Sequence, residues 1–285
     1  MERIKEAIER AKRERVSVPP PPQDAKADAS RDGGGRAAED PDSRPKDSSL
    51  RSVKYQQTKV VELDMEHLAS HRIFAHLKNN PMMAYIDMLR TQVLQKMDEH
   101  GWRTLGVTSP TPGSGKSLIA INLAISIARH TQKTALLVDL DLRRPKVAEY
   151  LGLDCRVDSL VSALKGKVDI SEAMVNPSIR HLVVLPTSRP VANPAEALAS
   201  KRVANLISDL RERYESRIVI FDLAPLVNTD DALSVVPKMD AVLMVVGNGM
   251  STKREIEESM RHLQSTSLLG VVLNKAETDI TPAYY

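Results

Sequence analysis

The sequence has little cysteine, few aromatic side chains and almost no net charge. A single cysteine, Cys155, means that no disulfide can form within the chain, which fits a reducing compartment. The 40 basic and 37 acidic side chains leave a formal net charge of +3, which gives no reason to expect nucleic acid as a partner. The longest apolar run, residues 118–128, is far too short to cross a bilayer. These features favour a cytoplasmic protein that associates with a membrane only through a partner.

The beginning and the end of the chain differ in composition from the rest. Residues 1–15 are dense in both signs of charge and predict a charged amphipathic helix, either a docking helix or a solvated, partly formed one. Residues 16–59 are rich in Pro, Gly, Ser and Asp and poor in large apolar side chains, which predicts a disordered linker. We expect one ordered domain over residues 60–277, followed by a flexible tail over residues 278–285.

Within the expected domain, apolar runs alternate with helical patterns. Continuous apolar strands that alternate with helices imply an α/β fold, a mainly parallel sheet covered by helices on both faces. The predicted strands are 103–109, 133–141, 181–186, 217–223, 240–247 and 268–274. The predicted helices are 64–78, 81–98, 116–130, 193–214 and 252–265. Ligands of such folds bind beyond the carboxyl ends of the strands, where every motif discussed below is expected to lie.

The strongest chemical signal is the stretch TSPTPGSGKS, residues 108–117. It lies between a predicted strand and a predicted helix, which is the context that a phosphate-binding loop needs. The loop Gly113, Ser114 and Gly115 lets backbone N–H groups turn toward phosphate oxygens. Lys116 supplies a positive charge for the terminal phosphates, and the hydroxyl of the following serine can ligate Mg²⁺. The stretch therefore predicts a P-loop NTPase fold with a nucleotide site.

Acidic side chains follow two of the predicted strands. Asp139 comes directly after the run LLV and Asp141 two residues later, and either could hold a metal or accept a proton. Arg143 lies in the same loop and is a candidate ligand of the nucleotide. Asp222 ends the strand IVIFD, and with Ser117 and Asp139 it forms the candidate metal site. A lone aspartate at a strand end is more often a cap or a turn residue, but several beside a phosphate loop predict a Mg-nucleotide site.

The stretch VVLNKAE, residues 271–277, completes the predicted site. Asn274 at the end of a strand can pair with the edge of a purine base, although a strand-ending turn is an equally good interpretation. A guanine-reading N-K-x-D motif would have Asp where this chain has Glu277. That difference favours adenine, and therefore ATP, over guanine.

These motifs together resemble the bacterial tyrosine kinase family, the cytoplasmic autokinases that control capsule and exopolysaccharide synthesis. SPTPGSGKS is similar to the Walker A motif of the family, LLVDLDLRRP to its Walker A′ motif, and IVIFDLAPLVNTDDA to its Walker B region. The resemblance extends from about residue 84 to residue 275, roughly two thirds of the chain. The D-x-D-x-R-R-P stretch after a phosphate loop is its most specific element.

The resemblance implies a set of roles. Lys116, Asp139 and Asp141 would be the catalytic residues, with ATP and Mg²⁺ as cofactors. Tyr284 and Tyr285 at the end of the sequence would accept the phosphate. The charged start and the Pro-rich linker are similar to the exosortase-associated members. That similarity implies a separate transmembrane polysaccharide chain-length regulator that holds the protein at the inner membrane face. The family resemblance also implies a homo-oligomer.

The sequence also departs from the family, and two other classes of protein stay open. The subunit-contact motif E-x-x-R-x-x-R aligns with Ala84, Asp87 and Arg90, so only its last residue is retained. Partitioning and septum-positioning ATPases, the MinD/ParA-like class, share most of the motifs but have a signature lysine where this chain has Thr111. A nucleotide-gated scaffold without catalysis is the third possibility, since Leu223 replaces a common threonine beside the Walker B aspartate.

Overall fold

The computed structural model describes residues 58–77, 80, 82–154, 159–213, 216–227 and 229–276. The expected helix over residues 1–15, almost all of the expected linker and the expected tail lie outside these residues, as do Tyr284 and Tyr285. Within the described part, no helix combines the length and the apolar character that a membrane span requires.

The described strands form one sheet. The strands are β1 (Lys59–Val60), β2 (Thr104–Thr108), β3 (Thr134–Asp139), β4 (Val175–Asn176), β5 (Leu182–Leu185), β6 (Arg217–Asp222), β7 (Ala241–Gly247) and β8 (Leu268–Asn274). Their order across the sheet is β1-β4-β5-β3-β6-β2-β7-β8. Neighbouring strands are parallel except β4 and β5, which pair antiparallel. The prediction of a mainly parallel sheet is confirmed.

Helices cover both faces of this sheet. They are α1 (Met65–Ser70), α2 (Met82–His100), α3 (Lys116–His130), α4 (Val147–Leu151), α5 (Leu160–Leu164), α6 (Pro194–Ala199), α7 (Lys201–Glu212) and α8 (Lys253–His262). Alternate residues of a strand point to opposite faces, and β3 shows this directly. Leu137 packs with α2, α3 and α4 in one apolar core, whereas Leu136 packs with α6 and α7 in the other.

Most predicted strands and helices lie within one to three residues of the observed ones, and two predicted helices are wrong in length. The helix expected over 64–78 ends at Ser70 because Arg72 has a φ of 58°, a left-handed conformation that a helix cannot continue through. The helix expected over 193–214 is two helices, because Ser200 is extended and its side chain accepts the N–H of Val203 as the cap of α7. The short elements β1, β4, α4 and α5 were not predicted, and β1 begins one residue before the expected domain.

The strand order explains how the motifs meet. β2 lies in the interior of the sheet between β6 and β7, so the loop that follows it is flanked by the ends of both neighbours. Asp139 at the end of β3 is in register with Asp222 at the end of β6. Asn274 ends β8 on the opposite side of the loop. The sheet therefore brings the predicted polar residues to one edge around the loop, as the sequence predicts.

Candidate active site

The phosphate loop depends on two glycines in the left-handed conformation. Gly113 has a φ of 82° and Gly115, the N-cap of α3, has a φ of 93°. A Cβ atom at Gly115 would lie 2.1 Å from Nδ2 of Asn274, so a larger residue there would displace the loop or the end of β8. Ser114 is fully buried, and its hydroxyl donates to the carbonyl oxygen of Thr111 at 2.9 Å. The loop is therefore held in shape by its own side chains and by β8.

Lys116 is the cation at the centre of the site. Its Nζ lies 2.7 Å from Oδ2 of Asp141 and 3.3 Å from Oδ1 of Asp222. The hydroxyl of Ser117 donates to Oδ2 of Asp222 at 2.5 Å. All four residues are buried, with Asp222 wholly removed from solvent. We call Lys116, Ser117, Asp139, Asp141 and Asp222 the carboxylate cluster.

Burial and like charges set the electrostatics of the carboxylate cluster. Burial raises the pKa of Asp139 well above its usual value, and the Asp222 carboxylate raises it further. Burial also raises the pKa of Asp222, although the Lys116 ammonium and the Ser117 hydroxyl oppose this shift. Burial alone would lower the pKa of Lys116, but Asp222 and Asp141 outweigh it, so the net shift is upward. One cation among three buried carboxylates leaves an excess of negative charge, which a divalent cation would offset.

Asp139 differs from the other two carboxylates in its partners. Its Oδ1 accepts the N–H of Asp141 at 3.2 Å and its Oδ2 accepts the N–H of Val147 at 3.0 Å. Both oxygens are thus used to hold the backbone that leads into α4. These contacts fit a positioning role for Asp139, which fixes the turn that carries Asp141. Its assignment as a catalytic residue and as a metal ligand stays a prediction.

Arg143 is fixed by a residue that the sequence analysis did not single out. Its Nε and NH2 atoms donate to the two carboxylate oxygens of Asp231 at 2.7 and 3.1 Å, a bidentate pair. Asp231 is buried, whereas about half of the Arg143 side chain is exposed. Asp231 lies within the Walker B stretch, but nothing in the spacing of that stretch indicates its partner. The contact between Arg143 and a nucleotide stays a prediction.

Asn274 contacts the phosphate loop directly. Its Nδ2 donates to the backbone carbonyl oxygen of Ser114 at 2.9 Å. The backbone carbonyl oxygen of Asn274 accepts the N–H of Asn248. Thr111 ties the other end of the loop to the segment after β7, since its Oγ1 lies 2.6 Å from Oγ of Ser251. The side chain of Asn274 thus links β8 to the loop. Its pairing with a purine base stays a prediction.

A groove runs beside the phosphate loop, and the sequence analysis did not predict it. Its volume is about 610 Å³, and it is lined by Tyr150, by residues from the segments 70–74, 82–89 and 272–276, and by Gly113, Gly115, Leu118, Ile119 and Asn122. We call it the edge groove, since β8 is the last strand of the described sheet on that side. None of the residues of the carboxylate cluster lines it. The groove and the cluster are therefore two separate surfaces on either side of the loop.

One buried side chain fixes the wall of the edge groove. Oδ1 of Asn122 in α3 accepts the N–H groups of Phe74 at 2.8 Å and Ala75 at 3.0 Å. Its Nδ2 donates to the carbonyl oxygens of Arg72 at 3.2 Å and Leu118 at 3.0 Å. Asn122 thus satisfies all its polar atoms and joins the segment after α1 to the helix that begins at the phosphate loop. A polar residue inside an apolar helical run is the sequence signal that could have indicated it.

The one retained residue of the subunit-contact motif makes its contacts inside the chain. NH1 of Arg90 donates to Oδ1 of Asp87 at 2.6 Å and to Oγ of Ser126 at 3.1 Å. Ser126 in turn donates to the same oxygen of Asp87 at 2.8 Å. Arg90 therefore joins α2 to α3. Homo-oligomerisation stays a prediction.

The site suits a metal that arrives with a nucleotide. Among the described residues, no group of three or more His, Cys, Asp or Glu side chains is arranged to hold a metal ion by itself. Mg²⁺ is commonly bound by one or two carboxylates or hydroxyls together with phosphate oxygens and water. Ser117 and Asp222 are such a pair, since both are deeply buried and Oγ of Ser117 lies 2.5 Å from Oδ2 of Asp222. The excess negative charge of the cluster also matches a cation.

Comparison with known proteins gives this geometry its context. Residues 105–283 match the family described as the CobQ/CobB/MinD/ParA nucleotide binding domain. The tyrosine-protein kinase CpsD of Streptococcus pneumoniae is 31% identical over 180 residues, which cover 62% of this chain and 78% of CpsD. The succinoglycan biosynthesis transport protein ExoP of Rhizobium meliloti is 32% identical over 180 residues, 61% of this chain and 22% of ExoP.

Solved structures separate the two related classes. The kinase domain of the Escherichia coli tyrosine kinase ETK has a TM-score of 0.61 and 27% identity, over 70% of this chain and 79% of that domain. The septum site-determining protein MinD of Pyrococcus horikoshii has a TM-score of 0.52 and 20% identity, over 63% of this chain and 74% of MinD. The likeness to MinD shows a shared fold alone.

The fold and the phosphate loop define the class of protein as a P-loop nucleotide-binding protein. Within that class, the chain belongs to the bacterial tyrosine kinase family. The resemblance drawn from the Walker motifs is thus confirmed, and the tyrosine kinase interpretation is favoured over the MinD-like one. Its similarity to the exosortase-associated members stays a prediction.

Proposed function

We propose that this protein is an ATP-dependent tyrosine autokinase that transfers the γ-phosphate of ATP to Tyr284 and Tyr285. The observation that carries the proposal is the contact of Lys116 with two buried carboxylates, at 2.7 Å to Asp141 and 3.3 Å to Asp222. A lysine at the start of a helix, beside a hydroxyl and two acids, is the set of groups that phosphoryl transfer uses. The membership in the tyrosine kinase family supports the choice of tyrosine as the acceptor.

The residues of the carboxylate cluster would divide the work between them. Backbone N–H groups of the loop and the positive end of α3 would bind the phosphates, and Lys116 would neutralise charge on the terminal ones. Ser117 and Asp222 would hold Mg²⁺, which supplies further neutralisation when it is bound. Asp141 would accept the proton of the tyrosine hydroxyl. A bond then forms from the phenol oxygen to the γ-phosphorus, the bond to the β-phosphate oxygen breaks, and ADP leaves.

We also propose the setting in which this kinase works. Its relative ExoP is named as a transport protein of succinoglycan biosynthesis, and the family resemblance implies control of exopolysaccharide synthesis. We infer a homo-oligomer in the cytoplasm, bound at the inner membrane face to a transmembrane chain-length regulator. Without this regulator the kinase would still bind ATP but would not be recruited to the membrane.

Mass spectrometry tests the proposal. The purified chain is incubated with Mg-ATP, with and without the solubilised membrane regulator, and the peptide that contains Tyr284 and Tyr285 is analysed. We expect phosphate on one or both tyrosines, and a loss of labelling of roughly 10²-fold or more in Lys116→Met. The matched control is Lys167→Met, which changes an exposed lysine distant from the cluster in sequence and keeps full labelling.

The same experiment separates the alternatives. Release of ADP and free phosphate with both tyrosines unmodified would show an ATPase of the MinD type. Nucleotide binding without any turnover would show a nucleotide-gated scaffold. Either result contradicts the kinase proposal.

A further inference from the structure

The edge groove combines an apolar interior with a positively charged rim. Its walls include the rings of Phe74, Tyr85 and Tyr150, and the Tyr150 ring lies tilted against that of His71 at a centroid distance of 5.5 Å. Arg72 and Lys275 lie at its rim, and both are exposed. No Asp or Glu occurs among the described residues that line the groove. A ligand for this groove therefore needs apolar or aromatic groups together with negative charge.

Apolar side chains that line the groove are exposed to solvent. Met82 of α2 is 52% exposed and Leu273 of β8 is 60% exposed, and both line the groove. Contiguous exposed apolar side chains commonly mark a binding surface. A volume of about 610 Å³ matches that of pockets that take drug-sized ligands, and so has room for a few side chains.

The chain itself leads into this groove. Lys275 has a left-handed φ of 58°, so the chain turns directly after β8, and Ala276 lines the groove. Residues 277–285 follow, with the sequence ETDITPAYY. Nine residues reach at most about 30 Å, which is ample to cross a pocket that begins at the first of them. Since the segment is tethered at the mouth, its effective concentration is on the order of millimolar, so even a weak contact is well populated.

The chemistry of the segment matches that of the groove. Residues 277–285 contain Glu277 and Asp279 and no basic residue, together with one isoleucine and two tyrosines. Residues 1–15, the other amphipathic candidate, carry six basic against four acidic side chains and would meet Arg72 and Lys275 with like charge. We propose that the edge groove binds residues 277–285 of the same chain, with Glu277 and Asp279 at the cationic rim and apolar or aromatic side chains inside.

This docking gives the tyrosines a defined location beside the nucleotide. The groove is lined by Gly113, Gly115 and Asn274, so a docked segment lies against the outer side of the phosphate loop. The edge groove does not include any residue of the carboxylate cluster, so docking and phosphorylation use neighbouring but different surfaces. The docking itself does not depend on the proposed kinase activity.

Cysteine cross-linking in the full chain tests the docking. In a Cys155→Ser background, Met82→Cys is combined with Ala283→Cys, which leaves both tyrosines in place. The control combines Ala283→Cys with Met260→Cys in α8, a 40% exposed methionine that does not line the groove. Mild oxidation is followed by mass spectrometry, and mixing with isotope-labelled chain separates links within one chain from links between two. We expect the Met82→Cys pair to link within the chain at least about fivefold faster than the control pair.

A charge reversal separates docking from mere proximity of the tether. Arg72→Glu in the Met82→Cys, Ala283→Cys background should slow the link severalfold, whereas the matched reversal Lys253→Glu in α8 should leave it unchanged. Equal rates for the two cysteine pairs, no effect of Arg72→Glu, or links that join two chains would each overturn the inference. Because the cross-link requires no ATP, such a failure is distinct from a failure of the kinase proposal.

Discussion

The carboxylate cluster and the edge groove lie on either side of one phosphate loop, yet they are built in opposite ways. In the cluster, Lys116, Asp141 and Asp222 are each less than 10% exposed, and Lys116 pairs with both carboxylates. In the groove, Met82 and Leu273 are more than half exposed. The cations at the rim of the groove, Arg72 and Lys275, are exposed and form no ion pair with the described residues.

The difference indicates what each surface is for. Buried charges are stable only when they are paired, so the cluster is a set of mutually positioned charged groups, as electrostatic catalysis requires. Exposed apolar groups gain from being covered, and exposed cations can pair with an acidic ligand, so the groove is suited to recognition. The loop between them is thus positioned to join a chemical step to the binding of a segment.

Replacing Asn122 should break the groove while sparing the cluster, with the largest effect on stability that we predict. Asn122→Ala removes the acceptor of two N–H groups, those of Phe74 and Ala75, and the donor to two carbonyl oxygens. We expect a loss of about 3 kcal/mol in the free energy of unfolding, since buried N–H groups would be left without a partner. Urea denaturation measures this loss.

A matched control for this prediction is Asn205→Ala. Asn205 lies on the exposed face of α7, so its removal should cost less than about 0.5 kcal/mol. Nucleotide affinity of Asn122→Ala, measured under folding conditions, should fall far less than that of Lys116→Met. Equal losses of affinity in the two variants would show that the groove and the cluster are not separate.

The cluster was predictable from the sequence, whereas the groove was not. A phosphate loop and strand-end aspartates are local signals, and the parallel sheet brings strand ends to one edge without further information. The groove depends on where the chain goes after Ser70. That path is set by the φ of Arg72 and by hydrogen bonds to Asn122 from residues 48 and 47 positions away. The bidentate pair of Arg143 and Asp231 spans 88 positions, and so it was also missed.

The charge of the cluster should appear as a pH dependence of stability. Burial raises the pKa of Asp222 in the folded protein, while an unfolded Asp titrates near pH 4. Between these two values the folded state holds the extra proton, so the contribution of Asp222 to stability falls as the pH rises through that window and is constant above it. Asp222→Asn lacks this contribution, so its stability relative to wild type should increase from pH 4 upward, by about 1.4 kcal/mol for each unit of raised pKa.

Urea denaturation at pH values from 4 to 7, in buffer without nucleotide or divalent metal, measures this difference. Asp139 also has a raised pKa and remains in both proteins, so only the difference between them reports on Asp222. Asp98→Asn is a suitable control, because Asp98 is paired with Lys133 at the surface, with just over half of its side chain exposed. A difference between Asp222→Asn and wild type that does not vary with pH would contradict the assigned electrostatics.

The smallest effect is expected at the edge of the sheet beside the groove. Val271 of β8 is 52% exposed. Val245 of the neighbouring strand β7 is fully buried and pairs with Val272, the residue after Val271 in β8. Val271→Ala should change the free energy of unfolding by less than about 0.5 kcal/mol, because little apolar surface is lost from the core. Val245→Ala should cost about 2 kcal/mol, because it leaves a cavity between packed side chains. If the Val271 variant were destabilised as strongly as the Val245 variant, that outer face of β8 would have to be covered in the intact protein, and the edge would no longer be the open surface that contrasts with the cluster.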